Sequence, residues 1–151
     1  MLPRRLRKKL LLALLLWLTA LPAFSQASMP LVDTVWLREN LDNPSLRVLD
    51  LLPVEYYRQV HIPGAVNTDY NQWRATGKHG VPKMLPDIDQ LERLIGSLGI
   101  GNDTHVVIAP PGQGAGDMAM ATRIYWTLHL LGHRKLSILD GGLIGYLNDR
   151  S

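Results

Sequence analysis

Three short apolar runs constrain this chain more than any other feature: LRVLDLL over 46–52, HVVIA over 105–109 and LSIL over 136–139. Each is nearly unbroken in apolar character, which suits a strand covered on both faces rather than one with a face in water. Amphipathic stretches separate them. Such alternation builds βαβ units, and right-handed crossovers then give parallel strands. Two shorter strands are expected at Leu31–Val32 and Ala65–Thr68. The architecture expected is α/β: a mainly parallel five-stranded sheet with helices on both faces.

The connecting segments carry their own signals. Thr34 is placed to cap a helix from Val35 to Leu41, ended by Asp42-Asn43-Pro44. Pro53 opens a helix toward Val60 at its first position, and Ile62-Pro63-Gly64 is a turn. The stretch from Tyr70 to Pro86, punctuated by Gly77, Gly80 and Pro82, reads as a long loop. Asp87 caps a helix through Leu98, where Ile88, Leu91, Leu94, Ile95 and Leu98 form one apolar stripe. PPGQGAG over 110–116 is a loop, and Asp117 starts a helix through about Leu131. Asp140-Gly141-Gly142 follows the last strand and leads into a short helical tail.

The N-terminus has a different character. Arg4, Arg5, Arg7, Lys8 and Lys9 precede an uncharged apolar run from Leu10 to about Leu21, and small residues follow at peptidase spacing. Ala23-Phe24-Ser25 fits a cut before Gln26, and Ser25-Gln26-Ala27 fits a cut before Ser28. That order is a secretory signal peptide, with residues 1–27 as the leader and 28–151 as the domain. A membrane anchor needs roughly 20 apolar residues, more than this run supplies, so no stable anchor is expected after cleavage. The general secretory route fits better than twin-arginine export, and the protein is expected in the periplasm or secreted. Without the leader, the 16 Lys and Arg fall to eleven against 13 Asp and Glu, a net of about −2. No basic stripe with interleaved aromatics remains, so nucleic acid is not an expected partner.

Cysteine is absent. The chain therefore has no disulfide, no thiolate nucleophile and no thiolate metal site. Other candidates are few. Gly112, Gln113, Gly114, Ala115 and Gly116 lie between a strand and a helix, where backbone N–H groups can hold a small anion. The same glycines also suit a plain connector. No Lys-Ser/Thr follows them, so this is not a P-loop. Asp50 and Asp140 sit at carboxyl ends of strands, the edge where α/β folds build sites. They suit an acid–base pair or, equally, caps for the next elements. His129 and His133 stand four apart near the end of a helix, a spacing that can bind a metal but here reads as a solvated pair. No serine has a hydrolase elbow, and no metal or other cofactor is expected.

Three segments resemble the rhodanese (sulfurtransferase) family. Val48 to Asn67 carries Asp50 at a strand end and then His61-Ile62-Pro63-Gly64-Ala65-Val66-Asn67, similar to that family's G-H-I-P-G-A-[IV]-N. Leu52 stands where the family often has Arg, and Val60 where it has Gly. Leu136 to Tyr146 (LSILDGGLIGY) is similar to its closing motif, with Gly141 and Gly142. Arg123 to Trp126, with Leu130 to His133, resembles the helix after the active loop in tandem thiosulfate and 3-mercaptopyruvate sulfurtransferases.

The resemblance implies that His61, Gly64, Asp50, Asp140, Gly141 and Gly142 serve the fold, with His61 ordering its turn through one ring nitrogen. It also implies that the persulfide-forming Cys would stand near Pro110, where this chain has Ala109-Pro110-Pro111. The expected role is that of the N-terminal, non-catalytic half of a tandem enzyme, inactive alone. Its partner would be a second rhodanese domain, in cis or in trans, and its ligand, if any, a small sulfur oxyanion. Ser151 follows closely on a motif after which the family continues through a helix, so the chain reads as a truncated product or part of a longer protein. The alternative is a free-standing module binding a small anion or a protein through residues 110–117.

Overall fold

The computed structural model describes residues 29–149, so the leader expected at 1–27 lies outside the described residues. The buried apolar runs become the strands β1 (Leu31–Val32), β2 (Leu46–Asp50), β3 (Val66–Asn67), β4 (His105–Ala109) and β5 (Leu136–Leu139). They form one sheet in the order β1-β5-β4-β2-β3, and all four pairings are parallel. The expected five-stranded parallel architecture is present. The helices are α1 (Thr34–Asn40), α2 (Val54–Tyr57), α3 (Ile88–Ser97), α4 (Ala115–Leu130) and α5 (Gly142–Asn148).

Alternation along each central strand divides the core in two. Leu49, Val106, Ile108, Leu136 and Ile138 point to one face, where they meet Leu91 of α3 and Ala121, Ile124 and Leu128 of α4. Val48, Val107, Ala109 and Leu139 point to the other, where they meet Leu37 of α1 and Leu143 and Tyr146 of α5. Helices thus cover both faces, as near-continuous apolar strands require.

Several local expectations are corrected. The cap of α1 is Asp33, whose Oδ1 accepts from Trp36 N at 2.7 Å. Thr34 is the first helical residue, and its hydroxyl donates to the Asp149 carboxylate. Asp87 holds the capping position of α3, but its side chain accepts no capping bond. The α4 helix starts at Ala115, two residues before Asp117. The helix after Pro53 is a single turn, and β3 spans two residues rather than four.

The stretch from 70 to 86 is more ordered than a plain loop. It holds 3-10 turns at Tyr70–Trp73 and Lys78–Gly80 and an antiparallel bridge between Ala75 and Met84. Trp73 drives this order. Its ring is fully buried under α3 and α4, and its Nε1 donates to Thr68 Oγ1 at 3.0 Å.

Candidate functional site

The chain leaves β2 for β3 on one side, while β4 lies on the other side of β2 and leads to β5. Their carboxyl ends, Asp50 and Ala109, are register partners. Open α/β sheets place their crevice at such a reversal. A cavity of about 910 Å³ opens there, between the segments after β2, β3 and β4 and one side of α5.

Its walls are mostly apolar. Leu51, Leu52, Met120, Leu143 and Leu147 line it. Val54, Tyr56, Val60 and Ile144 form a rim that is 39–55 % exposed. Its charged lining is Glu55, Asp69, Asp117 and one cation, Arg74. Arg74 lies over the Tyr70 ring, 4.3 Å from its centroid, and donates to Asn71 Oδ1. Most of this lining was not singled out from the sequence. The available signal was the apolar pattern Leu143, Ile144, Leu147 directly after Gly141-Gly142.

Pro110 and Pro111, at the mouth of the β4–α4 loop, are buried. Neither has an N–H to offer a ligand. Their carbonyls are taken from the opposite side: Leu143 N donates to Pro110 O at 2.8 Å and Ile144 N to Pro111 O at 3.1 Å. The loop thereby docks on the first turn of α5. Glycine permits this approach. A Cβ on Gly142, at φ +60°, would stand 2.3 Å from Pro110 O, and one on Gly112, at φ +90°, would stand 2.3 Å from Gly141 O.

Within the Gly112–Gly116 segment, Gln113 N donates to Asp117 Oδ2 at 2.8 Å. A carboxylate of the same chain thus occupies that donor. Gly114 is the residue before α4, and its carbonyl accepts from Asp117 N at 3.1 Å. Ala115 and Gly116 form the exposed first turn.

Asp50 is fully buried. Its Oδ1 accepts from Leu52 N at 2.8 Å, and its Oδ2 has no partner. Burial holds this carboxyl above the usual carboxylate range, against smaller opposing pulls from the Leu52 N–H and from His61. Asn67 braces the same strand end, donating through Nδ2 to Leu52 O at 2.7 Å and Asp50 O at 3.2 Å.

His61 lies one turn away. Its Nδ1 meets Tyr57 O at 2.8 Å and its ring stacks on Tyr57 with centroids 4.3 Å apart. Gly64, at φ +75°, closes the turn, and Tyr57 donates its hydroxyl to Ala65 O. Asp140 is exposed in a separate shallow depression shared with Asp33 and Asp149. It is not brought together with Asp50, because β4 lies between the strands that end at the two residues.

His129 and His133 point to different partners. His129 lies against Arg134, and His133 Nε2 meets Thr104 O at 2.7 Å. Among the described residues no group of His, Asp and Glu is arranged to hold a metal. No described helix is long and apolar enough to cross a membrane.

These features define a doubly wound parallel α/β domain with its crevice over the carboxyl edge of β2 and β4. Residues 33–149 match the family model of the rhodanese-like domain, and the chain belongs to the rhodanese family. It is 36% identical over 131 residues to the thiosulfate sulfurtransferase of Cricetulus griseus, covering 79% of this chain and 43% of that one. It is 31% identical over 130 residues to the 3-mercaptopyruvate sulfurtransferase of Escherichia coli K12, covering 78% and 44%. The crystal structure of SseA, a 3-mercaptopyruvate sulfotransferase of Escherichia coli, superposes with a TM-score of 0.68 at 27% identity, covering 82% of this chain and 49% of that one. The chain spans less than half the length of these relatives.

Proposed function

We propose that this protein is the non-catalytic, cleft-shaping rhodanese domain of an exported sulfurtransferase, working beside a second rhodanese domain that carries the cysteine. The observation that carries the reading is the loop after β4. Pro110 and Pro111 stand at its mouth, α5 takes their carbonyls, and the chain has no cysteine anywhere. A persulfide needs a thiolate, so this chain has no atom on which to form one. The partial coverage of the relatives supports a partner of similar size, in cis or in trans. The rim of Val54, Tyr56, Val60 and Ile144 offers apolar surface beside the crevice. The N-terminal cations and the apolar run behind them support export, with the leader cut before Gln26 or Ser28.

Two measurements test this. The purified protein is expected to release no thiocyanate from thiosulfate and cyanide; catalytic turnover would overturn the non-catalytic reading. Protein recovered from the periplasm of its host is expected to lack residues 1–25 or 1–27, and to carry or co-purify with a Cys-bearing rhodanese domain. Recovery as a lone domain of under 16.9 kDa would remove the partner from the proposal.

A further inference from the structure

Helix α4 is apolar on both of its faces. Ala121, Ile124, Thr127 and Leu128 are buried against the sheet, yet its exposed residues include no Asp, Glu, Lys or Arg. Helix α3, by contrast, exposes Asp89, Gln90, Glu92, Arg93 and Ser97. A helix that is apolar all round is one that is covered on both sides, and here Trp126 and Leu130 are 48 % and 55 % exposed. The outward stripe is also graded in size. Ala115 and Ala119 occupy its first half and Trp126 and Leu130 its second, with Thr122 between them on the same face. Ala119 and Trp126 lie equally far from a point between Thr122 and Arg123, and so do Ala115 and Leu130. Met118 and His129 border the stripe on one side, where His129 meets Arg134. Arg123 borders it on the other, its guanidinium 5.3 Å from the Trp126 ring centroid and donating to Lys83 O at 3.2 Å.

We infer that the outer face of α4 is a homodimer contact, in which two copies pack these helices antiparallel about a two-fold axis beside Thr122. Turning a second copy end for end sets large against small: Trp126 over Ala119 and Leu130 over Ala115, each twice. A flat apolar partner would leave a gap over the alanines, whereas the copy fills it. Small residues at the contact let the helix axes approach to about 8 Å. A surface that meets itself cannot hold a charge near the axis without self-repulsion, and this stripe holds none; Arg123 and Arg134 stand at its edges. Because α4 runs from the carboxyl edge of the sheet towards its amino edge, antiparallel pairing leaves the two crevices at opposite ends of the dimer. Sixteen residues give a contact about 24 Å long, small beside a standard interface of about 800 Å² per partner, so the dimer is weak, half dissociated at about 100 µM. The inference stands on α4 and not on the presence of a second domain, so either can fail without the other.

The test is sedimentation equilibrium of the purified protein from about 10 µM to about 1 mM, over which the average mass should rise towards that of two copies. Trp126→Glu, which puts a carboxylate into the contact, should raise the dissociation constant by about tenfold or more. Ala119→Trp should do the same by setting large against large, although it adds apolar surface. Combining Ala119→Trp with Trp126→Ala reverses the grading and should restore the dimer. The chain has no cysteine, so a single introduced thiol reports the geometry. Thr122→Cys, beside the axis, should oxidise to a disulfide-linked dimer; Leu130→Cys, whose copies lie about 22 Å apart along the helices, should not. All four positions are exposed, and unchanged far-UV circular dichroism and melting temperature establish that the variants fold. If a tryptophan variant does not fold, the two thiol variants decide. The inference is overturned if the protein stays monomeric at about 1 mM, if folded Trp126→Glu associates unchanged, if folded Ala119→Trp associates more tightly, or if Leu130→Cys cross-links as readily as Thr122→Cys.

Discussion

Asp50 shows how a single side chain couples this fold to pH. Its buried carboxyl retains a proton to higher pH in the native state than in the unfolded chain, where a carboxylate titrates near about 3.9. The native state therefore binds more protons over that interval, and stability falls as pH rises through it. Below the unfolded value both states are protonated and the penalty disappears. Asp50→Asn keeps an acceptor for Leu52 N while removing the ionisation. Urea midpoints from pH 4 to 7 should drop less for this variant than for the wild type; parallel profiles would refute the assignment. Gly142 presents a steric counterpart. An alanine there meets both a left-handed backbone and the Pro110 carbonyl, and should cost about 2–4 kcal/mol. Gly64→Ala, with a positive φ but open space, should cost only about 1 kcal/mol. Chemical denaturation of the pair separates crowding from backbone strain.

At the scale of elements, the opposite end of the sheet also carries a titrating group. His105 opens β4, its Nε2 2.9 Å from Ser137 Oγ, and Ser137 in turn donates to Met29 O at 2.5 Å. Trp36 of α1 covers the ring at 5.3 Å. Burial, then Lys135 and His133, push the imidazole below its ordinary value. The native state thus resists a proton that the unfolded chain accepts near about 6.5, so stability is intact above that pH and declines as pH falls through it. His105→Gln should flatten the decline between pH 7 and 5, read from urea midpoints.

The elements most legible in the sequence were those whose apolar pattern matches one regular period, such as β2, β4, β5 and α3. Those decided by long-range contacts were not. Thr34 and Asp33 are equally good caps locally, and the choice falls to Asp33 because the Thr34 hydroxyl meets Asp149, far along the chain. Gly and Pro made 70–86 read as a loop, while its order comes from Trp73 reaching beneath α3 and α4. The position of the crevice could be read from strand ends. The charge of its lining could not, because Glu55, Asp69 and Asp117 come from three separate connections.

For the molecule as a whole, both half-cores are built on the same three central strands, β2, β4 and β5, with no disulfide to hold either one separately. Neither face can lose its helices without exposing the strands that the other depends on, so unfolding should be all-or-none. Trp73 reports from one half and Trp36 from the other. Their indole N–H resonances should lose intensity at one common urea concentration. Two distinct midpoints would show that the halves melt independently.

The docking of the β4–α4 loop also bears on how such a domain could change its role over generations. One codon change at 110 would supply a sulfur atom, but the buried strand end around it would still direct its carbonyls into α5. Gly112 and Gly142 fit against each other so closely that the loop cannot be re-aimed without moving that helix. Gaining sulfur chemistry here would require several concerted substitutions, with the early ones costing stability before any activity appeared. Backbone packing, as much as the missing thiol, thus stands between this loop and sulfur chemistry at its mouth.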